Sequence, residues 1–129
     1  MKGRIQMGRE GNFQDSVLDY LNSIPGCIAE NVSGNESQSG RPDITGCYKG
    51  RMFKLELKQP DNKYEASLKQ LLELRRWRRA GCVVGVIYSM KALKQLFDWD
   101  WRTPNTVEIE EPNGCQSWYE IPNKMGIVL

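Results

Sequence analysis

Two short stretches, Ile44 to Tyr48 and Met52 to Lys58, alternate apolar with polar or small positions and are separated by Lys49-Gly50. Period two over this length predicts two half-buried strands, and the Lys-Gly pair predicts a tight turn in which glycine supplies a positive φ. With a two-residue turn, counting outward pairs Tyr48 with Arg51, Gly46 with Phe53 and Ile44 with Leu55. It therefore sets Asp43 opposite Glu56.

The flanking pattern is helical. Phe13, Val17, Tyr20, Leu21 and Ile24 recur at the spacing of one helix face and predict a helix from about Glu10 to Asn22, stopped by Pro25-Gly26. Cys27 to Val32 reads as a strand, followed by a Ser-, Asn- and Gly-rich loop from Ser33 to Ser39. That loop is either a flexible connection or a backbone contact for a polyanion. After the turn-rich Gln59-Pro60-Asp61-Asn62, a helix is expected from Tyr64 to Arg79 with Leu68, Leu71, Leu72 and Leu74 on its buried side. Cys82 to Tyr88 is continuously apolar, as a strand covered on both faces should be. Ser89 is an N-cap for a helix over Met90 to Phe97. Beyond it, strands are expected near Val107 to Glu110 and Trp118 to Ile121, with Pro112-Asn113-Gly114 turning between them.

The chain has 129 residues, 40% hydrophobic and 26% charged, which suits one globular domain. No apolar run is long enough to span a bilayer, and the first residues lack the apolar segment of a signal peptide, so a cytoplasmic location is the expectation. Four separated cysteines, with no CxxC pair, read as small apolar residues rather than as zinc ligands or a disulfide scaffold. Histidine is absent, which removes imidazole-based metal sites and triads and leaves carboxylates as the hard ligands. The net charge of +2 is unevenly spread: residues 1–97 hold sixteen basic against ten acidic side chains, residues 98–129 two against six. A basic larger segment is compatible with a polyanionic partner.

Opposed carboxylates on adjacent strands repel, their Cβ atoms lying about 4.5–5.5 Å apart. A hard divalent cation with oxygen ligands offsets that repulsion. Lys58, two residues beyond Glu56, falls on the same strand face. Two acids and an ammonium around a metal suit phosphodiester hydrolysis. Glu10 lies at the N-terminal end of the first helix's apolar stripe; it either favours the helix's positive end or adds a third carboxylate. Arg75, Arg76, Arg78 and Arg79 around Trp77 form the densest positive patch, able to grip phosphates or to stabilise a helix C-terminus. Arg41, directly before the motif, is a candidate phosphate contact.

Pro42-Asp43 followed by Glu56-Leu57-Lys58 after a short hairpin resembles the PD-(D/E)xK nuclease signature. The context Gly40-Arg41-Pro42-Asp43-Ile44 and Gly50-Arg51-Met52-Phe53 is similar to its VRR-NUC branch. The resemblance covers about residues 1–97, a nuclease core, and leaves residues 98–129 as a β extension packed on the core or at a dimer interface. It implies an α/β, restriction-endonuclease-like fold, a mixed sheet flanked by helices in the order α-β-β-β-α-β. It implies Mg²⁺, with Mn²⁺ able to substitute, held by Glu10, Asp43, Glu56 and the Leu57 carbonyl, with Lys58 as the catalytic amine and Gln70 in a supporting place. It also implies a phage-type homodimer that cuts branched DNA such as four-way junctions, with no organic cofactor. The rival is a binding module of the same fold without catalysis, or a nuclease of RNA or of other DNA structures.

Overall fold

The turn residues Lys49 and Gly50 have φ of 52° and 86°, the doubly positive conformation whose twist matches that of the strands it joins. From this turn the hairpin is zipped in the expected register: Tyr48 pairs with Arg51, Gly46 with Phe53 and Ile44 with Leu55. The computed structural model describes residues 12–32, 42–60 and 65–123. Its elements are α1 (Asn12–Ser23), β1 (Cys27–Asn31), β2 (Ile44–Tyr48), β3 (Arg51–Leu57), α2 (Leu68–Arg79), β4 (Val83–Ile87), α3 (Met90–Asp98), β5 (Asn105–Glu110) and β6 (Gln116–Ile121).

The strands form one mixed sheet in the order β1-β2-β3-β4-β6-β5. Only β3 and β4 run parallel, joined through α2, and every other neighbour pair is antiparallel. Helices α1 and α3 share one face, where Phe13, Val17, Leu21, Leu93, Leu96 and Phe97 pack with Ile44, Phe53, Leu55, Val83 and Ile87. Fully burying each such side chain contributes about 1.5–3 kcal/mol relative to exposure. Helix α2 covers the other face through Leu74 and Trp77, over Val84, Val86 and Tyr88. The arrangement is an α/β fold of the restriction-endonuclease-like kind. Among the described residues no helix is long and apolar enough to cross a membrane.

The β5–β6 hairpin completes the sheet. Strand β6 pairs antiparallel with β4, so the strand read as buried on both faces is also central in the sheet. Trp101 is buried in the α1/α3 core, edge-on to Tyr48 and Phe53. None of the four cysteines is in a disulfide; Cys82 and Cys115 are buried and Cys27 and Cys47 half-buried, and burial pushes the Cys27 thiol up to about 11.

Helix α2 departs from the expectation in two ways. It begins at Leu68, not near Tyr64, because Ser67 caps it: the Ser67 hydroxyl accepts from the Gln70 amide, and the Gln70 side chain reaches back to the Ser67 N–H. Its leucines also divide differently. Leu74 is 1% exposed, but Leu68, Leu71 and Leu72 are 71%, 38% and 49% exposed. The helix meets the sheet along Gln70, Leu74 and Trp77, and the other three leucines lie off that line.

Candidate active site

The α2-facing side of β3 carries Lys54, Glu56 and Lys58 at every second residue, opposite the side that carries Phe53 and Leu55 into the core. At the end of β2 the ladder stops at the Ile44–Leu55 pair. Asp43 is the next residue out. Its Oδ2 accepts the Leu57 N–H at 2.9 Å. Neighbouring amides in a strand point to opposite sides, and the Lys58 N–H goes to the Ile87 carbonyl of β4 at 3.0 Å. The Asp43 carboxylate thus stands where a β2 carbonyl would continue the ladder. This fixes the acid against β3 in a way that alternation alone does not specify.

Glu56 is 3% exposed. Its Oε2 accepts from Gln70 Nε2 at 2.7 Å and lies 3.8 Å from Lys58 Nζ. Its Oε1 is buried without a hydrogen-bond partner. Burial, and next the Asp43 carboxylate, push Glu56 up to about 8, against the pull of Lys58. Gln70 Oε1 accepts from Lys58 Nζ at 3.2 Å and from the Ser67 N–H at 2.8 Å. With both donors on the oxygen, the Gln70 amide nitrogen must face Glu56.

Asp43, Glu56, Lys58 and Gln70 are therefore brought into one cluster. Glu10 and Arg41 lie outside the described residues. The arginines of α2 differ in their surroundings. Arg76 pairs with Glu73 at 3.1 Å and Arg78 with Glu120 at 3.4 Å, while Arg75 and Arg79 are exposed. Trp77 rests against the sheet side, with Lys54 Nζ 3.9 Å from its ring centroid. Ser67 adds to the site through its cap, and Ser-x-x-Gln ahead of a leucine run is the capping-box signature for it. Arg51 stands in the sequence only as part of a motif. It is 7% exposed and donates to the carbonyls of Gly81, Trp101 and Pro122, tying the hairpin to three later segments.

The donor set fits a hard divalent cation. The two carboxylates supply oxygen ligands, and Glu56 Oε1 is a buried acceptor with nothing to accept from. Among the described residues no group of three or more such ligands occurs. A cavity of about 730 Å³ between α3 and the β5–β6 hairpin, lined by Lys94, Gln95, Trp99 and Tyr119 among others, holds none of the four clustered residues.

No family model matches the chain, and no curated protein matches it. Among solved structures, one described as "VRR_NUC domain" superposes with a TM-score of 0.56 at 27% identity, covering 69% of this chain and 94% of its own. The chain is similar to a VRR-NUC domain. That likeness supports a nuclease-type function and agrees with the resemblance of Pro42-Asp43 and Glu56-Leu57-Lys58 to the PD-(D/E)xK signature. The signature falls just ahead of β2, on β3 and on the residue just beyond β3.

Proposed function

We propose that this protein is a metal-dependent DNA endonuclease. Asp43 and Glu56 would hold Mg²⁺ or Mn²⁺, with Glu10 and the Leu57 carbonyl as further ligands. The ion, when bound, supplies Lewis acidity at the phosphate and lowers the pKa of a coordinated water. The chain's own residues do the rest. Asp43 is held by the Leu57 amide and Glu56 by Gln70, so neither carboxylate has to reorganise when charge develops. Lys58, steadied by the Gln70 oxygen, sets an ammonium beside the reacting phosphate, where it orients the attacking water and offsets charge on the pentavalent centre.

The observation that carries this reading is the buried, unpartnered Oε1 of Glu56 next to Asp43. A purely structural carboxylate would be expected to satisfy both oxygens. In the same reading the substrate is branched DNA, and a two-fold pair of chains cuts two strands symmetrically. Purified protein incubated with linear, nicked, flapped and four-way-junction DNA should cut with Mg²⁺ and not with chelator. Asp43→Ala, Glu56→Ala and Lys58→Ala should each lower the rate by orders of magnitude while binding is kept. Full activity in Asp43→Ala would refute the proposal.

A further inference from the structure

Strand β4 ends beside Lys58, and one peptide group marks the place. The Ile87 carbonyl accepts the Lys58 N–H at 3.0 Å, and the N–H at the other end of that same peptide, on Tyr88, donates to Ser117 Oγ at 2.9 Å. A peptide group is planar and stiff, so a tilt imposed at one end reaches the other. The β4–β6 ladder has already stopped at Val86–Trp118, and the Ser117 hydroxyl stands where a β6 carbonyl would continue it. Asp43 does the same for β3 by taking the Leu57 N–H. Side chains thus extend the sheet on both sides of the β3–β4 pair.

Ser117 is fully buried, and its hydroxyl has one proton to give. That proton goes to Glu111 Oε2 at 2.6 Å, which turns the lone pairs of the hydroxyl toward Tyr88. The same Glu111 oxygen accepts from Ser89 Oγ at 2.9 Å, and Ser89 Oγ accepts the Ala92 N–H at 3.1 Å. One carboxylate oxygen therefore sets both the acceptor for Tyr88 and the cap that starts α3. Glu111 is held in turn by the bend after β5. Its N–H donates to the Cys115 carbonyl at 2.9 Å, and its carbonyl accepts from the Gly114 N–H at 3.0 Å. A hydrogen bond between the Tyr88 hydroxyl and the Cys115 thiol ties the same bend to the end of β4.

We infer that Glu111 and Ser117 are positioning residues of the active site: acting through the Ile87–Tyr88 peptide, they fix the backbone at Lys58 and so the reach of its amine to Glu56 and Gln70. The β5–β6 hairpin, which lies outside the stretch resembling a nuclease core, then forms part of the frame of the site. This rests on the nucleolytic reading above for the work that Lys58 does, and the two fail differently.

The test has two arms. Amide hydrogen exchange, followed by NMR on the metal-free protein without DNA, reads the Tyr88 and Lys58 N–H groups directly. Both should exchange about tenfold faster in Ser117→Ala, with the amides of α1 unchanged. The second arm is single-turnover cleavage with Mg²⁺ of whichever DNA the parent cuts best, at a temperature where each variant is folded. Ser117→Ala and Glu111→Ala should slow it by about 10–100-fold while DNA affinity is kept, the scale on which a misplacement of about 1 Å acts. Glu111→Gln keeps an oxygen for both hydroxyls and should restore most of what Glu111→Ala loses. Should Ser117→Ala fail to fold, Glu111→Ala takes its place in both arms. Parent-like exchange at Lys58, a parent-like rate in the folded variant, or equal losses in Glu111→Gln and Glu111→Ala overturns the inference and leaves the nuclease reading intact. A parent that cuts no DNA ends the nuclease reading, and the exchange at Lys58 still decides whether Ser117 holds that peptide.

Discussion

Gln70 Nε2 lies 2.7 Å from Glu56 Oε2, while Gln70 Oε1 receives Lys58 Nζ and the Ser67 N–H. One amide at the start of α2 thereby sets both the acid and the amine of the β3 motif. Because its nitrogen can only donate, Glu56 Oε2 must accept, and Oε1 is the oxygen left buried without a hydrogen-bond partner.

Replacing this amide should separate catalysis from folding. Gln70→Met should reduce the cleavage rate by about 10–100-fold, the usual cost of losing an outer-shell partner of a metal ligand. The cap itself is worth about 1 kcal/mol, so the melting temperature should fall only slightly. Gln70→Glu should be the more damaging change, since it faces Glu56 with a like charge. Single-turnover rates beside circular-dichroism melts check both statements.

The metal-free protein should show a pH-dependent stability that belongs to Glu56. Its folded-state pKa is pushed up to about 8, from an ordinary value of 4.5, chiefly by burial. A raised folded pKa means the folded state holds the proton more tightly than the unfolded chain. The stabilisation is fully present below the ordinary value and is lost as pH rises through about 8. In chelator, the stability difference between the parent and Glu56→Gln should therefore shift against the parent between these limits. Adding Mg²⁺ at the high-pH end should stabilise the parent and leave Glu56→Gln nearly unaffected. Chemical denaturation at several pH values, with and without the ion, reads this directly.

Arg51 is predicted to be structural. Burial pulls its pKa below the ordinary value, and three backbone carbonyls from Gly81, Trp101 and Pro122 compensate. Arg51→Met keeps much of the volume but leaves those carbonyls unpaired, and should cost about 3 kcal/mol or more. Unfolding in urea should show a lower midpoint. DNA affinity at a temperature where the variant is folded should be unchanged.

The hairpin turn can be improved. Lys49 sits at a φ of 52°, which lysine tolerates poorly and asparagine tolerates well, and Asn-Gly is the favoured pair for this turn. Lys49→Asn should raise stability by about 0.5–1 kcal/mol, seen as a higher melting temperature with cleavage intact.

Period-two alternation and one glycine were enough to set the β2–β3 register, because a slip of one residue would turn Phe53 and Leu55 out of the core. The continuous apolar run of β4 and the Ser89 cap of α3 were legible for the same reason: each is a local rule whose cause lies within a few residues. What α2 buries was not legible. Its leucines outnumber its other apolar residues, yet the sheet chose Leu74 and Trp77, since the docking line was drawn by Gln70 reaching Glu56 and by Trp77 meeting Lys54. Likewise, Asp43 and Glu56 could be counted into opposition, but that Asp43 bonds the Leu57 amide and that one Glu56 oxygen is left without a partner depended on distant strands and a helix cap. Sequence determined the elements and the β2–β3 register, which follow from local periodicity. Tertiary packing decided which faces are buried and which polar atoms go unpaired, because those depend on contacts between segments far apart along the chain.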